Sequence, residues 1–477
     1  MLAMSYRASV LQAHCLWWAS LNAQFVARDK QSHHIDADVC IVGAGFTGLW
    51  TALALLEAEP DMKVVILEAE AAGYGASGRN GGWASALFPI EDAAIAKTYG
   101  HDLAVSLRRQ LEAEIDRIID FAEAEGISAN IAKGGTITLA RNEAQAKRLR
   151  EGVQAAQALG IDQDLIWLEA EEASARAAGE GVLGGTFTPH CAAIHPANLV
   201  RGLADAVERR GGQIFERSAV TEIQEANGDE PASVFCGRGV VRAKVVVRAT
   251  EAWTATLAEL DREIVPIYSL VIATEPLADS VFKEIGLADR ETFADARNLI
   301  IYGQRTADNR LVFGGRGAPY HFGSKVSEKF DLDKGVFTAL EEALRDLFPQ
   351  LPKRMRITHK WGGALAVSRD WMPSVGFDAA RGMAWSGGYV GDGVVLSSLA
   401  ARSLADLILG AETERTALPF VGHHHPRWEP EPLRYLGVNA TRIAAERMDR
   451  AEEKGRRARL SSLVMRLVGR AGHTLTP

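Results

Sequence analysis

Cysteine is scarce in this chain of 477 residues: Cys15, Cys40, Cys191 and Cys236 stand far apart, with no CxxC. That excludes a disulfide framework and a cysteine-based zinc site, and it suits a reducing, cytoplasmic setting. Basic excess is also missing. Lys and Arg number 53 against 61 Asp and Glu, for a net charge of −8, so no nucleic-acid partner is expected. No apolar run approaches the ~18 residues of a membrane span. The first residues, from Met1 to Gln24, carry Arg7 and a partly apolar run broken by Gln12 and His14, without a clean small-x-small cleavage site. They read as an amphipathic leading helix packed on the body. Neither composition class is extreme, at 47% hydrophobic and 24% charged, which excludes wholesale disorder. Length predicts about two to four domains or an interleaved pair. No internal repeat or low-complexity tract is present.

Glycine is what the chain has in excess, at 45 residues. Asp38–Val42 (DVCIV) reads as a buried strand, Thr47–Glu57 as a helix and Lys63–Glu68 (KVVILE) as a second strand, parallel to the first through a right-handed crossover. Between strand and helix lies Gly43-Ala44-Gly45-Phe46-Thr47-Gly48, a GxGxxG. Its first glycine makes the turn, the second admits a pyrophosphate, and the third lets helix and strand pack closely. The helix N-terminus supplies N–H donors and partial positive charge. Glu68, about 20 residues on, ends the second strand where a carboxylate accepts from ribose hydroxyls. Dinucleotide binding follows, and Glu68 disfavours a 2′-phosphate.

Two further loops separate FAD from NAD. Gly75-Ala76-Ser77-Gly78-Arg79-Asn80-Gly81-Gly82 can wrap a ligand with backbone while its arginine neutralises phosphate. Gly387-Gly388-Tyr389-Val390-Gly391-Asp392-Gly393 opens a second helix, whose N-terminus suits the negative charge of a reduced flavin. Elsewhere, helices are predicted over Ile90–Gly126, Asn142–Leu159, Pro196–Arg210, Asp331–Phe348, Val394–Leu409, Leu433–Lys454 and Arg456–Arg470, with strands over Pro266–Thr274, Leu299–Gly314 and Thr358–Val367. Loops are predicted from Leu159 to Ile194.

These residues resemble the D-amino-acid-oxidase-like flavoproteins, and within them the gamma-glutamylputrescine oxidoreductase-like, glycine oxidase and sarcosine oxidase group. The resemblance is carried by DVCIVGAGFTGLWTALAL, GYGASGRNGG, AAIHPANLVRGLA, VVRATEAWT, RLVFGGRG, WGGALAVSRDWMPSVG and GGYVGDGVVLSSLAARSLADLILG, from Asp38 to Gly410. It implies an α/β (α+β overall) fold: a Rossmann-like FAD-binding domain interleaved with an antiparallel-sheet substrate domain, plus a helical C-terminal tail. The expected division is an N-terminal segment 1–37, an FAD-binding domain of 38–90, 191–262 and 358–415, a substrate domain of 91–190 and 263–357, and a tail of 416–477. The implied reaction is oxidation of the C–N bond of an amine or amino acid by hydride transfer to flavin N5, giving an imine that hydrolyses. O2 or an electron carrier is the acceptor. Family members that tether flavin use a cysteine matching the 361–373 stretch or a histidine near the first glycine-rich region. This chain has neither, so FAD is expected to be non-covalent. The family's substrate-carboxylate lysine falls in the helix start matching Gly393-Val394-Val395, and its oxygen-activating lysine matches Val312; neither position holds a lysine here. A flavin-bearing assembly protein without turnover, a flavin dehydrogenase of a hydroxy acid and a nicotinamide-dependent enzyme remain the alternatives.

Cofactor contacts are expected at Gly43, Gly45, Phe46, Thr47, Gly48, Glu68, Ala69, Gly75, Ser77, Arg79, Asn80, Gly81, Gly82, Val220, Thr250, Gly388, Gly391, Gly393 and Val394. Catalytic candidates are Tyr389, Trp361, His195 before Pro196, and Arg316 as a substrate-carboxylate anchor. Tyr268, Tyr302, Tyr320 and His321 are further candidates for an aromatic wall. The His423-His424-His425 run has no carboxylate nearby at ligand spacing, so no metal is expected. Arg456, Arg457, Arg459, Arg466 and Arg470 interleave with Leu460, Leu463, Val464 and Leu467 as an amphipathic basic helix, packed on the body or touching a partner or membrane surface.

Overall fold

The computed structural model describes residues 6–22, 25–161, 163–257, 259–456 and 458–469. The expected strand–helix–strand unit is present as His34–Val42, Phe46–Ala58 and Val64–Leu67. The two strands pair in parallel, Val39 opposite Val64 and Val42 opposite Leu67. They sit in an eight-stranded sheet. Its main order runs Ser374–Asp378, Met383–Gly387, Gly239–Arg248, His34–Val42, Val64–Leu67 and Gln213–Phe215, with Ala232–Cys236 pairing onto Gly239–Arg248 and Glu222–Gln224 onto Ala232–Cys236. Ile41, Val65, Ile66 and Val247 are fully buried, as parallel strands covered on both faces require.

A second eight-stranded sheet runs Ile357–Ser368, Ile264–Thr274, Leu311–Arg316, Ile301–Arg305, Thr292–Asp295, Thr136–Ala140, Gly184–Thr188 and Ile166–Glu169. It is mixed rather than wholly antiparallel, because Thr292–Asp295 and Thr136–Ala140 pair in parallel. Three of its strands or strand neighbours (Ile166–Glu169, Ala170–Arg176 and Gly184–Thr188) lie where only loops were predicted. Elements of four to seven residues carry too little periodicity to be read, and in Gly184–Thr188 the two glycines weaken the pattern further.

Two expected boundaries shift. Residues 358–368 were expected with the first sheet, but Ile357–Ser368 pairs along Ile264–Thr274 in the second. The helical stretch after Ile90 was expected with the second sheet. It breaks at Gly100 (φ +98°) into Asp92–Tyr99 and His101–Ala124, and the apolar face of the latter joins the core of the first sheet. There Glu114 accepts from Ser398 Oγ at 2.6 Å and from Arg402 Nη1 at 2.8 Å, tying that helix to Gly393–Leu409.

The leading segment packs as expected. Cys15, Leu16, Trp17 and Trp18 are buried in one cluster with Trp361. The tail helix Leu433–Glu452 docks through Asp449, which accepts from the Asn298 and Leu299 backbone N–H groups at 2.6 and 2.9 Å. On the terminal helix Arg459–Gly469, Leu460 is 72% and Leu463 46% exposed, while Val464 is half-buried; the Leu467 side chain lies outside the described residues. Arg457, Arg470 and the Arg466 side chain lie outside the described residues.

Candidate active site

Gly43 has φ +109°, and a Cβ there would stand 2.5 Å from the Ala249 carbonyl oxygen. A Cβ on Gly48 would stand 2.0 Å from the Gly43 oxygen and 3.1 Å from Ile41. The first glycine thus allows the turn and the third allows helix on strand. Gly45 is the N-cap of Phe46–Ala58 and offers no side-chain acceptor. The Phe46 N–H is met instead by Ser77 Oγ at 2.8 Å, from the second glycine-rich loop. Glu68 accepts from the Ala44 and Glu70 N–H groups at 2.9 and 3.0 Å. Burial nonetheless pushes its carboxyl up to about 7. Ala69 is exposed beside it, and Val220 is half-buried against the far side of the same strands.

The GRNGG loop is held carbonyl by carbonyl. Trp361 Nε1 donates to the Arg79 oxygen and Trp17 Nε1 to the Asn80 oxygen, both at 2.8 Å. Gln304 Nε2, fully buried on the second sheet, donates to the Gly81 and Gly82 oxygens at 2.8 and 2.9 Å. Asn80 zips the loop internally, accepting from the Gly82 N–H at 2.8 Å. Gly75 stands 3.4 Å from the Trp253 ring by its Cβ position, and Gly81 is covered by Tyr302.

Arg79 has protein partners that the sequence did not reveal. Its guanidinium bonds Asp331 (2.8 Å) and the Gly362 oxygen (3.2 Å), over the Tyr74 ring. Trp361 departs from expectation. It is 1% exposed and packed edge-on to Trp17, a post under the loop rather than a group facing substrate. His195 is a helix cap: Nδ1 accepts from the Asn198 N–H at 3.1 Å and Nε2 meets Ser20 Oγ at 3.1 Å. Burial lowers its pKa to about 4, so it is neutral and structural.

The second loop meets the first. Tyr389 is buried, its hydroxyl accepting from Thr47 Oγ1 at 3.1 Å and pairing with Ser386 Oγ at 2.7 Å. Gly388 and Gly391 take φ of +77° and +107°. Helix Gly393–Leu409 starts at Asp392 without a side-chain cap, and Val394 enters the core. Thr250 pairs with Thr254 at 2.8 Å, one residue before Glu251.

Three non-glycine residues around this loop lie in the left-handed region: Glu251 (φ 42°), Trp371 (φ 64°) and Val390 (φ 56°). Each such conformation costs on the order of 1–3 kcal/mol, most for a β-branched valine, and persists only where contacts enforce it. The contacts are visible. Glu251 accepts from the Ala366 and Gly388 N–H groups at 3.2 and 3.0 Å. Val390 N–H donates to the Ala366 oxygen at 3.1 Å, and Arg316 donates to the Val390 oxygen. Burial pushes Glu251 to about 7 and Asp392 to about 6.

Arg316 closes the arrangement from the second sheet. It is half-buried, 5.8 Å from the Trp371 ring, and feels Asp392 and Tyr302 electrostatically. No carboxylate pairs with it among the described residues. Tyr302 bonds Ser269 Oγ at 2.8 Å. Tyr268 and Tyr320 are packed into the second sheet and the tail, not this site. His321 stacks on Phe330.

Two helix N-termini without capping side chains, brought within one Thr–Tyr hydrogen bond, fit a long ligand with a diphosphate and a ring that takes on negative charge when reduced. The fold and this donor set define an FAD-dependent oxidoreductase. Residues 38–407 match the family described as "DAO: FAD dependent oxidoreductase", and the chain belongs to it. Gamma-glutamylputrescine oxidoreductase of Escherichia coli (strain K12) is 32% identical over 86% of this chain and 92% of its own. Glycine oxidase of Geobacillus kaustophilus is 27% identical over 80% of this chain and 96% of its own. The crystal structure of glycine oxidase from that organism superposes with a TM-score of 0.69 at 23% identity, over 82% of this chain and all of its own. The cofactor is FAD.

Glu251, Gln304, Trp17 and Asp331 were missed by sequence reasoning. None carries a local motif; each acts across the fold.

Proposed function

We propose that this protein oxidises the C–N bond of an amine that also carries a carboxylate, such as an amino acid. Arg316 carries the reading: it is a guanidinium at the second glycine loop with no ion-pair partner among the described residues. A guanidinium there offers two-pronged donors to a carboxylate. Asp392, of opposite sign, interacts with Arg316 and ionises above about 6, which suits the ammonium end of the same substrate. The Trp371 ring, stacked near Arg316, and Tyr302 wall the space and exclude water. The amine must shed its proton before oxidation, so an ionised Asp392 serves capture, and its partial neutralisation by Arg316 eases release of the free base. FAD, when bound, supplies the hydride acceptor. The backbone of Gly43, Gly45 and Gly48 would hold its diphosphate and the start of Gly393–Leu409 its ring system. Non-covalent attachment is supported by the burial of all four cysteines, none of them in 361–373.

Anaerobic titration of the yellow protein with amines, N-alkyl amino acids and hydroxy acids tests this. Bleaching by amines bearing a carboxylate is expected, and acid precipitation of the same sample frees the flavin into solution. Bleaching by hydroxy acids alone, or by no compound on the panel, overturns the reading.

A further inference from the structure

The His423-His424-His425 run stands before Pro426, and the nearest acids after it in the chain, Glu429 and Glu431, are engaged by Arg369 and Tyr320 instead. The fold brings another acid. Asp370, in the turn before Met372, meets both outer histidines: Oδ2 is 2.6 Å from His423 Nε2, and Oδ1 is 3.4 Å from His425 Nδ1. The carboxylate oxygen and the two ring nitrogens all lie within 4.8 Å of one another. His425 is only 4% exposed along its side chain, yet its Nδ1 takes no hydrogen-bond partner of acceptable geometry. A buried imidazole nitrogen aimed at a carboxylate without bonding it is costly unless something else completes it. The backbone around the cluster is fixed: Ser374 Oγ donates to the His423 oxygen at 2.6 Å, and Trp385 Nε1 donates to Ser374 Oγ at 2.9 Å. Above the histidines is a cavity of about 260 Å³. Its Arg248 is neutralised by two bonds to Glu263, at 2.9 and 3.0 Å.

We propose that Asp370, His423 and His425 form a binding site for a divalent transition-metal ion of the zinc class, open on its cavity side. Two imidazoles and one carboxylate are the ligand chemistry of such ions, which take three protein ligands and leave a fourth position to solvent. Tetrahedral bonds of ~2.0–2.1 Å place neighbouring ligand atoms roughly 3.3 Å apart; the Asp370–His425 spacing of 3.4 Å matches this, and the 2.6 Å Asp370–His423 hydrogen bond is the contact an ion would open and replace. The cavity supplies the entry path. The contrast with the other carboxylate–histidine cluster is instructive. Glu112, Asp164 and His190 already enclose a cation, Arg109, which pairs with both acids at 2.9 and 2.6 Å. Among the described residues, no such side chain pairs with the Asp370 cluster. His425 Nε2 lies 3.5 Å from the Cβ position of Gly388, so an ion here would clip the tail beneath the second glycine loop.

The test uses the tag-free flavoprotein, stripped with a chelator, given equimolar Zn2+ and passed through gel filtration, with metal read by plasma mass spectrometry. About one zinc per chain is expected to be retained, with a higher Tm than the stripped protein. Asp370→Asn with His423→Gln should weaken retention at least ~100-fold, more than loss of an outer-shell partner does. His424→Ala, whose ring faces Trp385 instead, should retain it. Flavin absorbance per chain is measured alongside, to confirm that each variant is folded. A wild-type protein that keeps no zinc overturns the site, and so does a folded double variant that keeps it.

Discussion

At the scale of single residues, the site is a set of charges that burial has displaced from their usual behaviour. Arg316 sits without an ion pair among the described residues, so its value is in what it holds. Arg316→Gln is expected to raise KM for a carboxylate-bearing amine about 10- to 100-fold, the range of a lost hydrogen bond to a charged group, with little effect on an amine lacking the carboxylate. Steady-state kinetics on such a pair of substrates checks it; equal loss on both would remove Arg316 from substrate binding. Glu251 makes a different prediction. Its carboxyl is raised from 4.5 to about 7, chiefly by burial, against the pull of the Gly388 and Ala366 N–H groups. The folded state therefore holds this proton more tightly than the unfolded chain does. The stability it contributes is present below about 4.5 and is lost as pH rises towards about 7. Glu251→Gln cannot ionise. Measured as the Tm difference from wild type, the variant should gain ground between pH 5 and pH 8. A difference independent of pH would show that Glu251 keeps an ordinary pKa.

At the scale of elements, the glycine loops were legible and their clamps were not. Gly43, Gly48, Gly388 and Gly391 act through φ and through the space a Cβ would fill, which the residue type itself dictates. Gly48→Ala is a sharp test, because its Cβ would meet backbone at 2.0 Å. A loss of at least ~1–3 kcal/mol and a fall in bound flavin are expected, read by thermal melting and flavin absorbance per chain. A variant as stable and as yellow as wild type would mean that helix and strand are not packed this closely. Helices with strong 3.6-residue apolar spacing, such as Pro196–Arg209 and Lys334–Leu347, lie within a few residues of expectation. The short strands Gly184–Thr188 and Cys191–Ala193 were invisible, since three to five residues with glycine carry too little pattern. Arg79, Trp361 and His195 were assigned to ligand or chemistry from position alone. Their protein partners, Asp331, Trp17 and Ser20, lie 252, 344 and 175 residues away in the chain.

At the scale of the whole molecule, the second sheet and the leading segment converge on the GRNGG loop. Trp17 bonds the Asn80 carbonyl, Trp361 the Arg79 carbonyl and Gln304 the next two. Nearly buried, Trp17 also packs edge-on to His195. Trp17→Ala should cost about 3–5 kcal/mol and lower flavin retention together, because one side chain serves both core and loop. Chemical denaturation and flavin content of the variant decide this. Unchanged stability would show that the leading segment is a passive cover.

The sequence by itself determined the strand–helix–strand unit, the dinucleotide turn and the flavin family, because a glycine's φ, a helix start and an apolar period are properties of a few neighbouring residues. Tertiary structure alone decided which arginine pairs with Asp331 and which has no ion-pair partner among the described residues, why Val390 and Glu251 are held in strained conformations, and that Asp370 faces His423 and His425. Those outcomes depend on distance and burial between segments far apart in the chain. No local pattern encodes them, since the free energy of a charge is set by whatever the fold places beside it.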